Sequence, residues 1–193
     1  MLKRVSKDKK LHAYVVGLAL GDGNLSNSND RAVRLRITCD KRYSKLLKHI
    51  QNSVAKLLPQ NKVSLVYRKD NSIDVSCYSN KWEEILEWKA KKGSKYKQKV
   101  KIPDWILENN EFTKECLRGI IQTDGSVYKD RKYTYVNLTS QIPILADSVK
   151  RAIESIGYKP NMQIFKSKTG DKFTIRISKN VDKFIKDIKL WKI

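Results

Sequence analysis

Two short stretches with one pattern decide the fold: residues 15–23 read VVGLALGDG, and residues 117–125 read LRGIIQTDG. Three pairs of identical residues align at one common offset: Gly17 with Gly119, Asp22 with Asp124, and Gly23 with Gly125. Each stretch places a carboxylate at the end of an apolar helix, where the helix dipole is already negative. The following glycine suits a left-handed position after the helix. Because this unfavourable placement occurs twice, it indicates a duplicated functional element.

The sequence after each copy predicts the same series of elements: two strands, a helix, two strands and a last helix. In the first half the predicted strands lie at 24–28, 33–38, 63–68 and 73–78, and the helices at 42–58 and 81–91. In the second half the strands lie at 126–129, 133–139, 161–166 and 172–178, and the helices at 143–156 and 181–189. Pro143 suits a first helical turn, and Gly157 suits a helix end. The prediction is an α+β fold made of two α-β-β-α-β-β-α halves.

A lysine-rich stretch separates the two halves. It runs from Lys89 to Lys101, contains Gly93 and stops at Pro103. We therefore predict an N-terminal half at residues 1–92, a linker at 93–111 and a C-terminal half at 112–193.

The charge of the chain predicts a polyanionic partner. Its 193 residues include 41 Lys and Arg but 20 Asp and Glu, which gives a net charge of +21. Such a surplus repels itself unless a polyanion neutralises it, and nucleic acid binds through counterion release. The basic residues are spread along the whole chain instead of lining one amphipathic helix, which favours nucleic acid over a membrane surface. We expect no membrane partner, since no apolar run is long enough to span a bilayer.

The remaining composition excludes several classes of protein. With 40% hydrophobic and 9% aromatic residues, the chain can bury a core and is not a disordered basic tail. Three scattered cysteines argue against a disulfide framework and for an intracellular, reducing compartment, either the cytoplasm or an organelle matrix. Two histidines are too few for a Cys/His zinc cluster. Any metal must therefore be held by oxygen ligands.

Small residues in both copies predict a close contact between the two helices. They stand four apart: Gly17 with Gly21, and Gly119 with Thr123. A glycine inside a helix costs about 1 kcal/mol relative to alanine, which a close helix contact can offset. If the helices pack about a pseudo-two-fold axis, Asp22 and Asp124 meet at their ends. Two such carboxylates repel each other unless a cation lies between them, and Mg²⁺ accepts a sparse carboxylate site.

At these residues the sequence resembles the LAGLIDADG homing endonucleases, in their single-chain form with two copies of the motif. Residues 101–106, KIPDWI, look like the lead-in often seen before a second copy. The resemblance covers nearly the whole chain. It implies that two four-stranded antiparallel sheets form a saddle over double-stranded DNA. It also implies a monomeric, site-specific enzyme of intron homing that makes a metal-dependent staggered double-strand break in a long DNA target.

The resemblance further implies which residues form the site. Asp22 and Asp124 would bind Mg²⁺ (or Mn²⁺), with the backbone carbonyls of Gly21 and Thr123 as additional ligands. Basic residues of the family order solvent near the scissile phosphates, and three lysines are candidates for that role: Lys97 and Lys99 in the linker, and Lys129 after the second motif.

Family members also often carry a polar residue, commonly Gln, after the second strand of a half. The matching positions in this chain are Cys39 and Ser140, and a shift of one residue in the second half would give Gln141 instead. Cys39 departs from that pattern, so the resemblance does not define the water network on its side of the site.

Alternation along the predicted strands separates a core face from an outward face. In the first half the outward residues are Asn24, Ser26, Arg34, Arg36, Thr38, Lys62, Ser64 and Arg68. In the second half they are Ser126, Tyr128, Tyr133, Tyr135, Asn137, Gln163, Thr174 and Arg176. Arginine can read guanine and Asn or Gln can read adenine, whereas Lys and Ser mostly meet phosphates. We expect these sixteen residues to face DNA.

Two other functions stay open from the sequence. Tyr128, Tyr133 and Tyr135 could stack bases of single-stranded RNA, as expected of a maturase that binds its host intron RNA. A DNA-binding regulator on a decayed nuclease scaffold is a further alternative, which the presence of both aspartates disfavours. Since no segment resembles an intein splicing block, we expect a free-standing endonuclease encoded by an intron.

Overall fold

The computed structural model describes residues 5–27, 30–168 and 170–191. The predicted strand residue Ser28 lies outside these ranges. The first half contains α1 (Lys9–Leu20), β1 (Gly23–Ser26), β2 (Arg34–Asp40), α2 (Ser44–Leu57), β3 (Val63–Tyr67), β4 (Ser72–Tyr78) and α3 (Trp82–Leu86). A short helix, α4 (Asp104–Leu107), precedes the second half. That half contains α5 (Asn110–Asp124), β5 (Gly125–Asp130), β6 (Tyr133–Ser140), α6 (Pro143–Ser155), β7 (Asn161–Phe165), β8 (Lys172–Ile177) and α7 (Val181–Asp187).

The strands form two antiparallel sheets with identical topology. The first has the order β1-β2-β4-β3, and the second has the order β5-β6-β8-β7. The predicted α+β fold with a duplicated α-β-β-α-β-β-α order is therefore confirmed. Within the described ranges, the helices are all too short or too polar to cross a membrane.

Residue alternation explains how each sheet covers the core with one face. In β2 the side chains of Leu35 and Ile37 are buried, whereas those of Arg34 and Arg36, which alternate with them, are half-buried. The helices α2 and α6 pack against the strands of their sheets and bury apolar residues at helical spacing.

The centre of the molecule is the contact between α1 and α5. A Cβ atom built on Gly17 would lie 2.1 Å from the Cys116 carbonyl oxygen, and one on Gly119 would lie 2.5 Å from that of Tyr14. No real side chain tolerates such distances, so both glycines are required for the approach of the two backbones. The predicted close contact between the duplicated helices is present.

Local capping explains where several elements begin and end. Pro143 lies in the first turn of α6, and Gly157, with φ of +91°, follows its last turn, as expected. The last helix of the first half ends at Leu86 instead of residue 91, because Glu87 adopts a left-handed conformation. The second motif helix begins at Asn110, two residues before the predicted start of the C-terminal half, because the Asn109 side chain accepts hydrogen bonds from the Glu111 and Phe112 amides.

The expectation of left-handed glycines after the motif helices is wrong. Gly125 is extended, with φ of −86°, and Gly23 does not have a positive φ either. Close packing explains why both positions are occupied by glycine. A Cβ on Gly23 would lie 2.4 Å from the Ala19 carbonyl oxygen, and one on Gly125 would lie 2.7 Å from that of Ile121.

Candidate active site and nucleic-acid interface

The contact between α1 and α5 brings the two motif aspartates to one place. Asp124 is the last residue of α5, and Asp22 lies two residues beyond the end of α1. A Cβ on Gly21 would lie 3.5 Å from the Asp124 carboxyl carbon, which shows how closely the two ends approach. Both aspartates are exposed. The helix ends therefore present a pair of accessible carboxylates between the two sheets.

A lysine of the linker inserts its ammonium group beside this pair. The Nζ atom of Lys95 donates to the carbonyl oxygens of Leu20 at 2.8 Å and Ala19 at 3.3 Å, and also to that of Gly21. Burial lowers the pKa of Lys95, and the negative charges of Asp124 and Asp22 oppose that shift. Lys95 is thus the lysine that the fold brings to both carboxylates.

The three lysines that the sequence suggested for the basic role lie at other positions than Lys95. Lys97 and Lys99 are exposed on the surface of the linker. Lys129 pairs with Thr134 and is adjacent in β5 to Tyr128, so it lies on the opposite face of the sheet from the tyrosine. The path of the linker turns Lys95 towards α1, and a basic catalytic role of Lys97, Lys99 or Lys129 stays a prediction.

Hydrogen bonds within the linker fix that path. The side-chain amide of Gln98 accepts from the Lys89 amide and donates to the carbonyls of Lys89 and Gly93. The Glu83 carboxylate accepts from the Ala90 amide at 2.8 Å. Because seven lysines stand between residues 89 and 101, no local signal in the sequence singles out Lys95.

The donor set around the carboxylates fits a hard divalent cation. Two carboxylates and the carbonyl oxygens at the end of α1 are oxygen ligands of the kind that Mg²⁺ and Mn²⁺ take. A positive group, the Lys95 ammonium, already makes hydrogen bonds to three of these oxygens. Across residues 5–27, 30–168 and 170–191, no cluster of three or more His, Cys, Asp or Glu side chains could hold a metal. A metal here would therefore complete its shell with backbone oxygens, water or phosphate.

Two unequal cavities flank the carboxylate pair. A cavity of about 110 Å³ is lined by Asp22, Thr38, Cys39, Asp40 and Thr123, among others. A cavity of about 700 Å³ lies on the other side and is lined by residues that include Asp124, Lys95, Tyr96, Ser140 and Gln141. Each aspartate thus borders a space that could admit solvent or a phosphate.

The strands β2 and β6 extend to Asp40 and Ser140, so Cys39 and Ser140, expected just after these strands, lie at their ends and line the cavities. Cys39 is buried, and its neighbour Asp40 binds Arg42 through a bidentate ion pair with a closest distance of 2.8 Å. That guanidinium holds the pKa of Asp40 below its usual value. In the second half, both Ser140 and Gln141 line the larger cavity, so both alternatives for the polar position border it.

One face of the first sheet collects most of the predicted outward side chains of that half. Arg36 donates to the Asn24 side chain at 2.8 Å, and Arg34 donates to the Ser76 hydroxyl at 2.7 Å. Strand register adds Ser26, Thr38 and Ser64 to the same face, whereas Lys62 and Arg68 lie just outside β3, before its first and after its last residue. The arginines are therefore held in fixed positions before any ligand binds.

The equivalent face of the second sheet is richer in aromatic residues. The rings of Tyr128 and Tyr135 stack with centroids 5.5 Å apart, and Arg176 lies over the ring of Tyr135. Arg176 also donates to the Asn137 side chain at 3.2 Å. Register places four more predicted residues on this face: Ser126, Tyr133, Gln163 and Thr174.

The sequence prediction missed part of the first sheet. Ser76 and Asp74 of β4 share the face of Arg36, and the buried Asp74 carboxylate accepts a hydrogen bond from Thr38 and lies 3.7 Å from Arg68. Tyr78, more than half exposed, lies at the end of the same row. The alternation of buried Ile73, Val75 and Cys77 was a sufficient signal for these residues.

Comparison with known proteins adds independent support for this fold. A family model described as a LAGLIDADG-like domain matches residues 111–189. A DNA polymerase of Thermococcus hydrothermalis is 30% identical over 157 residues, which cover 77% of this chain and 9% of the polymerase. The chain thus corresponds to a small part of that protein.

Solved structures match over almost the full length of the chain. I-DmoI in complex with DNA and Mn has a TM-score of 0.70 at 19% identity, covering 96% of this chain and 99% of I-DmoI. The N-terminal LAGLIDADG domain of WhiA has a TM-score of 0.64 at 12% identity, covering 97% of this chain and 87% of that domain structure. These likenesses concern the fold. The C-terminal half of the chain thus matches a LAGLIDADG-like domain, and the chain as a whole has the fold of I-DmoI and of the WhiA LAGLIDADG domain.

Proposed function

We propose that the protein is a site-specific homing endonuclease that makes a metal-dependent, staggered double-strand break in a long DNA target. One observation carries this proposal: two exposed carboxylates from duplicated helix ends meet between two sheets that present polar and basic side chains on equivalent faces. A DNA-binding protein without an activity would not need both carboxylates at this point.

The sheet faces support DNA as the substrate. Arg34, Arg36 and Arg176 are each held by a neighbouring side chain, so their guanidinium groups are preorganised to meet guanine edges. The net charge of +21 provides the sequence-independent attraction to phosphates. I-DmoI, which shares the fold, has been crystallised with DNA and Mn.

The residues of the chain have separate tasks in this reaction. Asp22 and Asp124 would hold Mg²⁺ or Mn²⁺, with the Gly21 and Thr123 carbonyls completing the protein ligands. Bound there, such cations supply Lewis-acid stabilisation of the phosphate and a more acidic water. The two cavities receive the phosphates and solvent, one beside each aspartate. Lys95 places a positive charge next to the larger cavity.

The test is cleavage of a randomised DNA library by the purified protein, with and without Mg²⁺. We expect products with staggered ends from a single long sequence, only when the divalent cation is present. A lack of Mg²⁺-dependent product, together with tight binding to structured RNA, would contradict the proposal.

The stacked tyrosines keep a maturase as the second candidate. Tyr133 is about half exposed, and the Tyr128–Tyr135 pair lies on the same face, so together they offer a surface on which unpaired bases could stack. Binding of the host intron RNA that weakens on replacing Tyr133 with alanine, while DNA cleavage persists, would add this function to the first.

A further inference from the structure

The Lys95 ammonium occupies a position that suits a metal ion. It donates to the carbonyl oxygens of Leu20, Ala19 and Gly21, and the charges of Asp124 and Asp22 act on it. A lysine has three N–H donors and no acceptor, so these three carbonyls satisfy the whole group. Several carbonyl oxygens with two nearby carboxylates also form the oxygen donor set of a hard divalent cation. One site therefore suits two kinds of cation.

Charge repulsion disfavours the binding of both cations at the Gly21 carbonyl. A divalent ion would approach that oxygen to about 2 Å, while the ammonium keeps a hydrogen bond to the same atom. The two positive charges would then stand within a few ångströms of each other, where they repel strongly. We propose that Lys95 is a resident cation that a divalent ion must displace from the end of α1, so that Lys95 weakens metal binding until DNA is present. This inference rests on the proposed function.

The surroundings of Lys95 show where the displaced ammonium can go. Its backbone belongs to the linker that Gln98 braces, and the linker forms one wall of the 700 Å³ cavity beside Asp124. The long, flexible lysine side chain can turn from the α1 carbonyls into that cavity. A DNA phosphate in the cavity would give the ammonium a new partner. Binding of DNA and binding of metal thus assist each other through one side chain.

At the end of α5 the corresponding hydrogen bonds are made differently. The Thr123 hydroxyl bonds to the Gly119 and Ile120 carbonyl oxygens of its own helix, both at 3.0 Å. A hydroxyl carries no charge, so it does not repel an approaching cation. We therefore assign the competition to the α1 side of the site.

The first test is a Mn²⁺ titration of the DNA-free protein by isothermal calorimetry. Lys95→Met removes the charge and keeps an apolar stem of similar length, and we expect it to bind Mn²⁺ about tenfold more tightly than the wild type. Lys92→Met, which changes an exposed lysine of the same linker, is the matched control and should keep the wild-type affinity. General damage to the fold would weaken metal binding, so a gain in affinity points to the lost competitor. Unchanged or weaker binding by a folded Lys95→Met variant would overturn the inference.

A second test uses the wild-type protein and does not depend on the folding of a variant. Brief acetylation followed by peptide mass spectrometry measures the accessibility of each lysine ammonium. We expect Lys95 to be protected without metal and to become several-fold more reactive at saturating Mn²⁺, while Lys92 reacts equally in both states. Equal labelling of Lys95 with and without bound Mn²⁺ would overturn the inference.

These results are separable from those that test the endonuclease itself. If the wild type cuts DNA with Mn²⁺ but neither test shows competition, only the role of Lys95 fails. If no divalent cation supports cutting of any DNA, the proposed function fails, whatever the calorimetry shows.

Discussion

The two halves share a backbone arrangement but differ in the side chains at their helix ends. In the first half the end of α1 is held by the Lys95 ammonium, and Asp22 borders the cavity of about 110 Å³. In the second half Thr123 bonds to its own helix, and Asp124 borders the cavity of about 700 Å³, which Lys95 also lines. The comparison teaches that duplication preserved the positions of the two carboxylates while the groups around each carboxylate diverged. Mutations of residues that both halves share should therefore have similar effects in the two halves. Mutations of residues that differ between the halves should have unequal effects.

The largest effect should come from the aspartates, which the two halves share. Asp22→Asn and Asp124→Asn should each reduce DNA cleavage about 1,000-fold or more, since each removes a charge that holds the cations. Both variants should retain DNA binding within about threefold of the wild type in a gel-shift assay, because the sheet faces are unchanged. Asp104→Asn, which alters an exposed aspartate of α4, is the control and should cut normally. If either motif variant still nicked one strand efficiently, the two carboxylates would act independently and the account would be wrong on this point.

The shared glycines of the helix contact should give the next largest effect. Gly17→Ala and Gly119→Ala would each force a methyl group against a backbone carbonyl of the partner helix. We expect each to lower the free energy of unfolding by about 3 kcal/mol, and the melting temperature by roughly 6–12 °C. Helix propensity alone would raise the stability by about 1 kcal/mol, so the sign of the change is informative. A higher melting temperature in a thermal scan would contradict the packing described here.

The arginines on the two sheets test whether both halves read DNA. Arg36→Ala and Arg176→Ala should each weaken binding of the target about 10- to 100-fold, since each removes a preorganised guanidinium worth about 1–3 kcal/mol. Lys45→Ala on α2 is the control, because this exposed lysine lies on a helix that packs behind the sheet. Fluorescence anisotropy with the target and with unrelated DNA gives the specificity ratio. Loss of affinity in only one of the two arginine variants would restrict base reading to one half.

The smallest effect concerns the pH dependence of stability that the histidines cause, and both histidines, His12 in α1 and His49 in α2, lie in the first half. Burial lowers the pKa of both, so the folded state favours the neutral rings and the unfolded state takes up protons more readily. Their contribution to stability is complete above about pH 6.5 and is lost as the pH falls below it. His12→Gln should therefore lose less stability than the wild type between about pH 7.5 and 5.5. Urea unfolding at the two pH values measures this difference, and an identical loss in both proteins would contradict it.

Much of the fold could be predicted because its signals are local. The repeated GDG and TDG segments, the alternation in β2 and the position of Pro143 each report on a short stretch of chain. The contact between α1 and α5 was also predictable, since small residues four apart in both copies leave room for a second backbone. The boundaries of the helices and strands were less predictable, because single side chains such as Asn109 decide where an element begins.

The parts that escaped prediction depend on the tertiary path of the chain. Lys95 differs from Lys97 and Lys99 only in where the linker turns it, and Gln98 sets that turn through bonds to Lys89 and Gly93. The sequence indicated correctly that Gly23 must be a glycine, but the reason is the proximity of Ala19 and not a left-handed backbone. In both cases the deciding neighbour cannot be seen without the fold.

A crystal structure of the complex with target DNA and Mn²⁺ tests the central claim most directly, because anomalous scattering locates the metal. We predict anomalous peaks at about 2 Å from carboxylate oxygens of Asp22 and Asp124, each also in contact with a DNA phosphate. Peaks at other positions, or DNA bound with both aspartates remote from the phosphates, would contradict the account.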